Sequence, residues 1–328
     1  MKNVRVACIG SASEDVFIES KEFHFLRRSG EEEHADICLP FGKKLDIEKA
    51  EFGFGGGAMN SSIGFSRMGL KVSAVLNLGK DLTAQKIKQE LKKERVSVKM
   101  VMQCGEMSGY SVILRKERGD RTILTYRGSN NCFEEKKIDW KELKKHNWFY
   151  ISSFGSKDNL LEEIAEFAKK NKKKIAFNPG VSQRAKGINA LGKILARTEI
   201  IIMNKAEALE LAGEIEIGEA IKKLHKAGAR IVAITQGKHK VIVSNGKKVF
   251  ERMPFDVPVI EATGAGDAFS SGFVSAYIKG NSLEECMNLG IANACSVIQF
   301  VGTTKGLLSF EQAKNFVKKH SKPNQKEY

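Results

Sequence analysis

The sequence predicts an α/β protein with a mostly parallel central sheet, helices on both faces of that sheet, and a small β-sheet lid. Short runs that are apolar throughout, such as Val4–Ile9 and Ile231–Thr235, alternate along the chain with helical patterns. Strands of this kind, separated by helices, are typical of a parallel sheet that is buried on both sides. We interpret the 328 residues as a single domain, a length that allows a large core.

The predicted elements of the central unit follow in a regular order. Val4–Ile9 predicts a first strand that enters a turn at Gly10. The remaining elements are predicted from apolar runs and from helical periodicity. In chain order they are the helix at Ser61–Met68, the strand at Val72–Leu78, the helix at Ala84–Glu94, the strand at Phe149–Ile151, the helix at Leu160–Asn171, the strands at Ile175–Phe177 and Ile200–Met203, the helices at Lys205–Ala212 and Ile217–Ala227, and the strand at Ile231–Thr235.

Two segments, residues 16–54 and 105–128, break this alternation. The first carries many charges but includes a strand-like piece at Glu22–Phe25. The second contains GYSVILRKERGDRTILTY at Gly109–Tyr126, which predicts a hairpin with a polar turn at Glu117–Asp120. We expect both segments to build an accessory β-sheet that acts as a lid. A lid with an exposed face could pair with its copy, which predicts a homodimer.

The chain is strongly basic, with 54 Lys and Arg against 39 Asp and Glu and a net charge of +15. Such a field attracts anions, including nucleotides and nucleic acid. The lysines are spread over predicted helices and loops, as in KKNKKK at Lys169–Lys174, and are not interleaved with aromatic residues. We therefore interpret most of this charge as solvated surface and predict no specific nucleic-acid partner. A nucleic-acid-binding protein that keeps the fold without activity is the alternative from another functional class.

The cysteines and the apolar runs indicate the cellular compartment of the protein. The six cysteines form no C-x-x-C pair, which argues for a reducing compartment and against a zinc site or a disulfide framework. The apolar run near the N-terminus is too short for a signal sequence. No stretch approaches the roughly 18 apolar residues that span a membrane. We predict a cytoplasmic protein without a membrane partner.

The segment EATGAGDAFSSGF at Glu261–Phe273 places small residues and a carboxylate ahead of a helical run expected at Ala268–Tyr277. It does not match the dinucleotide fingerprint, because Phe269 stands at the third glycine position, and this disfavours a nicotinamide oxidoreductase. Small residues at a helix start let backbone N–H groups converge on an anion. An ionised Asp267 beside that anion could accept a proton from an attacking hydroxyl. The alternative is that Asp267 only caps the helix while the glycines form the turn.

Glycines also precede an earlier helix, in FGFGGGAMN at Phe52–Asn60. Consecutive glycines let a ligand approach the backbone, and Asn60 offers both a donor and an acceptor to a polyol hydroxyl. Asp15 follows the first strand in GSASED, where a loop of an open α/β sheet would bind ligands. A flexible hinge at the glycines and a turn or cap at Asp15 are the alternatives.

Two further strand ends carry polar residues. In IIIMNKAEAL at Ile200–Leu209, Asn204 and Glu207 could supply a hydrogen-bonding group and a carboxylate near a hydrated Mg²⁺. A capping box at the start of the following helix explains the same spacing. In IVAITQGKHK, Thr235 and Gly237 could place a hydroxyl and bare backbone at a phosphate, or they could form an ordinary β-turn.

Taken together and in this order, GGGAMN, NKAE, TQG and ATGAGDAFSSGF resemble the elements of the ribokinase-like (PfkB) family of carbohydrate and nucleoside kinases. The resemblance extends over nearly the whole chain. It implies a three-layer α/β/α sandwich with a β-sheet lid. It also implies an ATP-dependent, Mg²⁺-using kinase that phosphorylates a hydroxyl of a sugar. A kinase of the same fold acting on adenosine or another nucleoside is the alternative.

The resemblance implies roles for single residues. Asp267 would be the catalytic base, and the backbone of Gly264, Ala265 and Gly266 would form the anion hole. The other implied assignments fall into three groups. The residues implied to contact ATP are Asn204, Glu207, Thr235, Gly237 and Asn293, with Glu207 interacting with Mg²⁺ through water. Those implied to bind the substrate hydroxyls are Asp15, Gly55, Gly56 and Asn60. Those implied to form a K⁺ site are Glu261 and Thr263.

Two positions depart from the family pattern. Gly57 stands where ribokinases carry a lysine, which argues against ribose as the substrate. Glu261 stands where an aspartate is common in the K⁺ site. A third position is ambiguous, because Arg127 in YRGSNNCF could reach an anionic or hydroxyl-rich substrate or belong to a plain strand-to-loop junction. We favour the junction.

Overall fold

A computed structural model describes residues 4–27, 35–115, 121–155 and 159–321. Its strands form one large sheet, one four-stranded sheet and two short pairs. The strands are β1 (Arg5–Ile9), β2 (Ser13–Glu19), β3 (His24–Arg27), β4 (Ala35–Cys38), β5 (Lys49–Gly55), β6 (Lys71–Val75), β7 (Asn77–Leu78), β8 (Met102–Gln103), β9 (Gly109–Arg115), β10 (Arg121–Tyr126), β11 (Trp148–Ile151), β12 (Lys174–Phe177), β13 (Thr198–Asn204), β14 (Ile231–Gln236), β15 (His239–Ser244) and β16 (Val249–Arg252).

Helices cover both faces of the large sheet and connect its parallel strands. Within the described residues, none of them is long and apolar enough to cross a membrane. The α-helices are α1 (Gly57–Arg67), α2 (Leu82–Lys93), α3 (Trp140–Leu143), α4 (Leu160–Lys170), α5 (Val181–Arg184), α6 (Gly187–Ala190), α7 (Gly192–Leu195), α8 (Lys205–Ala212), α9 (Ile217–Lys226), α10 (Ala265–Ile278), α11 (Leu283–Val297) and α12 (Phe310–His320).

The large sheet has the strand order β16-β15-β14-β13-β12-β11-β1-β6. All pairings between β6 and β14 are parallel, while β15 and β16 add an antiparallel edge beside β14. The prediction of a mostly parallel sheet is therefore confirmed. Because the carboxyl ends of its parallel strands meet at one edge, the loops that follow β1, β13 and β14 lie at the same end of the molecule.

The four-stranded sheet, which we call the lid, has the order β10-β9-β2-β5. The predicted hairpin is confirmed, because β9 pairs with β10 from Arg115 opposite Arg121 to Tyr110 opposite Tyr126. Its predicted turn at Glu117–Asp120 extends over residues that lie outside the described part of the chain. The strand predicted at Glu22–Phe25 is found slightly later, as β3.

The large sheet separates two apolar cores. Along each buried strand, alternate side chains point to opposite faces, so Cys8 and Ile200 pack on one side and Ile9 and Ile201 on the other. The first core contains side chains of α1, α10 and α11, and the second contains side chains of α4, α8 and α9. The arrangement is the α/β/α sandwich that the resemblance implies.

Two helices begin earlier than the sequence predicts. The helix expected from Ser61 starts at Gly57, and the run expected from Ala268 starts at Ala265. In each case the preceding residue is a glycine with a positive φ, 93° at Gly56 and 83° at Gly264. Glycine adopts this conformation without the steric cost that other residues meet, so the chain turns directly into the helix. The polar residues Asn60 and Asp267 therefore lie in the first turns of these helices.

Helix α10 is fixed by close contacts with its two neighbours. A Cβ added at Gly64 of α1 would lie 2.2 Å from Ser271 Oγ, and one added at Gly272 would lie 2.8 Å from the carbonyl oxygen of Leu289 in α11. On α11, a Cβ at Gly290 would lie 2.9 Å from the ring of Phe269. These glycines allow the three helices to approach closely, which sets the position of the α10 N-terminus.

We expect Gly272→Ala to lower the thermal stability, because the added methyl group would overlap the backbone of α11. Helix propensity alone would favour alanine over glycine by about 1 kcal/mol. The matched control is Gly218→Ala in α9, where an added Cβ meets nothing within 4 Å. Thermal melting should show a lower Tm for Gly272→Ala and an unchanged or higher Tm for Gly218→Ala. Equal Tm changes in the two variants would contradict the packing argument.

Candidate active site

Two cavities meet at the start of α10. The larger, of about 240 Å³, opens under the lid, and the smaller, of about 170 Å³, lies over the ends of β13 and β14. Gly264 and Asp267 line both cavities. A ligand in one cavity therefore approaches a ligand in the other at the Asp267 carboxylate. We call them the lid cavity and the strand-end cavity.

The Asp267 side chain is held by a hydrogen bond from a distant helix. Asn60 Nδ2 donates to Asp267 Oδ2 over 2.8 Å. The Asn60 amide is oriented in turn by Thr303, whose hydroxyl lies 2.9 Å from Asn60 Oδ1 and 2.5 Å from the carbonyl oxygen of Phe54. Three segments far apart in the sequence thus fix the position of one carboxylate.

The pKa of Asp267 is raised to about 7. The main cause is desolvation, because the carboxylate lies deep in the protein although part of the residue faces the cavities. The negative charge of Glu207 also raises the pKa, while the hydrogen bond from Asn60 lowers it. A carboxylate with a pKa near neutrality can accept a proton from a hydroxyl far better than an exposed aspartate can.

The backbone at the start of α10 is open towards the cavities. At Gly264 an added Cβ would lie 2.8 Å from the Thr303 Cβ, so a larger residue would clash. At Gly266 an added Cβ would meet nothing within 4 Å. The first N–H groups of a helix have no intrahelical partner and favour a negative charge. The backbone of Gly264, Ala265 and Gly266 can therefore approach an anion beside Asp267, although the Ala265 N–H already donates to the Ala262 carbonyl oxygen over 3.2 Å.

Asp15 and Asn60 line the lid cavity, together with Gly56 and the lid residue Arg127. Asp15 lies within β2 rather than in a loop, which corrects the sequence-based placement. It is 4% exposed and accepts a hydrogen bond of 2.7 Å from Ser13 Oγ. Burial raises its pKa, and hydrogen bonds from Ser13 and Ser111 oppose that effect. The cavity thus presents a carboxylate and an amide to a hydroxylated ligand.

The glycines before α1 shape the lid cavity rather than forming a hinge. A Cβ at Gly55 would lie 1.9 Å from Asp15 Oδ2, and one at Gly56 would lie 2.5 Å from the carbonyl oxygen of Ser11. The positive φ of Gly56 adds a second requirement for glycine. Side chains at these positions would displace Asp15 and the backbone at Ser11.

Asn204 and Glu207 line the strand-end cavity, and they also form a capping box. Asn204 Oδ1 accepts from the Glu207 N–H over 2.9 Å, and Glu207 Oε2 accepts from the Asn204 N–H over 2.9 Å. The two interpretations of this motif are therefore compatible. Thr235, at the end of β14, lines the same cavity. Gly237 follows in the next turn with a φ of 57°, and its backbone is open.

The structure contradicts the assignment of Asn293 to a nucleotide pocket. Its side chain is completely buried between α10 and α11. Asn293 Nδ2 donates to the carbonyl oxygen of Ala268 over 2.7 Å, and its Oδ1 accepts from the Leu308 N–H over 2.9 Å. The amide is used within the protein, so Asn293 holds helix α10 instead of contacting a ligand.

The predicted K⁺ residues Glu261 and Thr263 lie just before the turn at Gly264–Gly266. Glu261 Oε1 accepts hydrogen bonds from the Thr263 N–H over 2.9 Å and from its hydroxyl over 2.6 Å. Two arginines of the lid, Arg115 and Arg121, also lie against the Glu261 carboxylate. No local pattern indicates these arginines, since they are far from Glu261 along the chain.

Two further residues of the site were missed by sequence reasoning. Arg184 is 7% exposed, and its Nη1 lies 3.0 Å from Glu207 Oε1. No local pattern around Arg184 indicates this contact. Thr303 lies in VGTTKG, where the glycine-rich turn was a signal that could have been followed.

The family profile described as pfkB family carbohydrate kinase matches residues 5–309. The chain belongs to this family. It is 29% identical over 251 residues to an uncharacterized sugar kinase of Archaeoglobus fulgidus, covering 75% of this chain and 98% of that protein. It is 25% identical over 326 residues to a nucleoside kinase of Methanocaldococcus jannaschii, covering 97% of this chain and 98% of that protein.

Solved structures support the fold of this pfkB-family kinase. A putative ribokinase II of E. coli in complex with ATP and Mg²⁺ superposes with a TM-score of 0.80 at 17% identity, covering 97% of this chain and all of that one. Sugar kinases and nucleoside kinases are both among the relatives. The chain is therefore a phosphotransferase that acts on a hydroxyl group of a sugar or a nucleoside.

The raised pKa of Asp267 predicts a pH-dependent stability. In the unfolded chain an aspartate titrates near a pKa of about 3.9. Because the folded pKa is about 7, ionisation destabilises the folded state increasingly as the pH rises between these values, and fully above the folded pKa. Asp267→Asn stays neutral, so its Tm should exceed that of the wild type by about 2 °C or more at pH 8, with a smaller difference at pH 4.5.

The control for this experiment is Glu14→Gln. Although burial raises the pKa of Glu14, hydrogen bonds from Lys86 and Thr83 hold it below its usual range. Its ionised form is stabilised by folding, so the variant should melt below the wild type at pH 8 and approach it as the pH falls. A Tm difference for Asp267→Asn that does not change with pH would contradict the raised pKa.

Proposed function

We propose that this pfkB-family kinase transfers the γ-phosphoryl group of ATP to a hydroxyl of a sugar, with Asp267 as the general base. One observation carries the proposal: a carboxylate with a pKa of about 7 lies where the two cavities meet, in the first turn of α10. The acceptor would occupy the lid cavity and the ATP phosphates the strand-end cavity.

In the proposed reaction, Asp267 accepts the proton of the acceptor hydroxyl while the hydroxyl oxygen attacks the γ-phosphorus. The bond from the γ-phosphorus to the bridging oxygen of the β-phosphate breaks, and ADP leaves with that oxygen. The Asn60 hydrogen bond keeps the carboxylate in position for this transfer. The N–H groups at Gly264, Ala265 and Gly266 would stabilise the charge on the transferred phosphoryl group. The lid would limit access of water, which would otherwise accept the phosphoryl group.

The residues of the strand-end cavity suit ATP with Mg²⁺. Glu207 Oε2 accepts from the Asn204 N–H and Oε1 contacts Arg184, so both oxygens already have protein partners. Mg²⁺ keeps several of its waters in most protein sites, and an interaction of Glu207 with the ion through water fits this arrangement. When bound, the ion would neutralise charge on the phosphates. Thr235 and Gly237 would contact the phosphates and the nucleotide.

The lining of the lid cavity favours a sugar as acceptor. Asp15 and Asn60 offer hydrogen-bonding groups to several hydroxyls, and Arg127 lies close by. Ile113 and Ile123 of the lid also face this cavity, and such apolar positions could pack against a base. This second observation supports a nucleoside as the other candidate acceptor.

A coupled assay of ADP release across pentoses, hexoses, deoxy-keto acids and nucleosides tests the proposal. We expect one class of acceptor to support turnover with MgATP. Asp267→Asn should then lower kcat by about 10²- to 10⁴-fold, while the binding of ATP changes little. Near-normal phosphoryl transfer by Asp267→Asn would show that another group is the base.

Asp15 offers a separate test of the acceptor site. We expect Asp15→Ala to raise the KM of the acceptor by about tenfold or more, because a charge-assisted hydrogen bond to a hydroxyl is lost. The KM of ATP should stay within about twofold, since Asp15 does not line the strand-end cavity. An increase confined to the KM of ATP would place the acceptor elsewhere. Lys222→Ala, on the exposed surface of α9, provides the matched control.

A homodimer through the lid stays a prediction. The lid strands expose Leu124, Tyr126 and Phe52, which are 54%, 47% and 69% accessible. Such side chains favour contact with another surface. A protein of the cytoplasm that binds neither membrane nor nucleic acid fits the proposed small-molecule reaction.

A further inference from the structure

An ion-pair cluster around the buried carboxylate of Glu261 joins the lid to the turn at Gly264–Gly266, which we call the anion-binding turn; its third member, Arg121, is 28% exposed. Glu261, three residues before Gly264, is 2% exposed. The Nε atom of Arg121 lies 3.3 Å from Glu261 Oε1, and the Nη1 atom of Arg115 lies 3.6 Å from Oε2. The Arg115 side chain is 5% exposed and also forms a salt bridge with Glu19 of β2.

The two arginines require an anion between them. Arg115 and Arg121 are directly opposite each other in the β9–β10 pairing. Like charges in opposite cross-strand positions destabilise a sheet, and a buried charge without a partner is strongly destabilising. Glu261 compensates both guanidinium groups at once. Arg115 shares Glu261 with its second partner Glu19, whereas Glu261 is the carboxylate that lies against Arg121.

The cluster does not fit a monovalent cation at Glu261. Glu261 Oε1 already interacts with the Thr263 N–H, the Thr263 hydroxyl and the Arg121 guanidinium. Oε2 faces the Arg115 guanidinium. A K⁺ ion bound by this carboxylate would be repelled by two positive charges that are already in contact with it.

We propose that Arg115 and Arg121 take the place of the monovalent cation, so that the proposed kinase reaction does not depend on K⁺. The inference rests on the proposed function. The positive charge that compensates Glu261 is attached to the lid strands instead of coming from solution. Arg115 and Arg121 are positioning residues, because they act on the anion-binding turn at Gly264 through Glu261 and line neither the lid cavity nor the strand-end cavity.

The wild-type protein provides the first test. Thermal melting and ADP release are measured in KCl, in NaCl and in tetramethylammonium chloride at equal ionic strength, because tetramethylammonium is too large for a K⁺ site. We expect the same Tm in all three salts and rates within about twofold. A K⁺-specific rise in Tm, or activation of about tenfold or more by K⁺, would overturn the proposal.

The second test removes the guanidinium charges. Arg121→Gln leaves Glu261 undercompensated, and Arg115→Gln/Arg121→Gln leaves it without a cation. In tetramethylammonium chloride we expect the kcat of these variants to fall by about tenfold or more. Losses of this size are typical when a group that stabilises transition-state charge is removed. K⁺ should restore most of this activity and raise the Tm of the variants. A loss of activity without any effect of K⁺ on rate or Tm would contradict the replacement of a cation.

Two controls separate this inference from folding defects and from the proposed function. Lys49→Gln removes a lid cation that pairs with Glu19 and not with Glu261, so it should gain no K⁺ dependence. If the glutamine variants do not fold, Arg121→Lys provides a further variant. It keeps the positive charge beside Glu261, so its rate and Tm should stay insensitive to K⁺. If no acceptor supports ADP release, the proposed function is wrong. The effect of K⁺ on the Tm of the wild type and of the glutamine variants still tests whether the two arginines replace the cation.

Discussion

The structure depends on holding one carboxylate deep in the protein at the start of a helix. Burial of Asp267 raises its pKa to about 7, and the fold must compensate for this unfavourable environment. It does so with the Asn60 amide, which is itself held against Thr303. The Asp267 carboxylate is thus fixed by helix α1 and by the loop after α11 as well as by its own helix. The raised pKa follows from this placement more than from the residue type.

The position of that helix depends on small residues. Gly64, Gly272 and Gly290 let α1, α10 and α11 pack backbone against side chain, and buried Asn293 ties α11 to the first turn of α10. Large side chains at these contacts would move the α10 N-terminus away from the strand ends. The packing of one core therefore controls the geometry where the two cavities meet, and stability and function are linked through the same contacts.

The lid contributes charge as well as cover. Its strand β2 carries Asp15 into the lid cavity, while β9 and β10 carry arginines to Glu261. Movement of the lid would change the surroundings of the lid cavity and of the turn at Gly264 together. The basic surface of the rest of the chain has a different character, because its lysines are mostly exposed. Such charge attracts anionic nucleotides without selecting one of them.

The sequence by itself determined the mostly parallel sheet and the lid hairpin. It also determined the order along the chain of the strands that end in polar residues. Continuous apolar strands and glycine-rich turns are local patterns, and parallel strands bring their carboxyl ends to one edge whatever the connecting helices are. Only the tertiary structure decided that Asn293 is a buried packing residue and that Arg115, Arg184 and Thr303 reach the site. These outcomes depend on contacts between residues far apart in the chain, and apart from the glycine-rich turn around Thr303 no local pattern records them. The glycines before Asp267 were visible in the sequence, but the raised pKa of Asp267 exists only after the surrounding helices have excluded water from it.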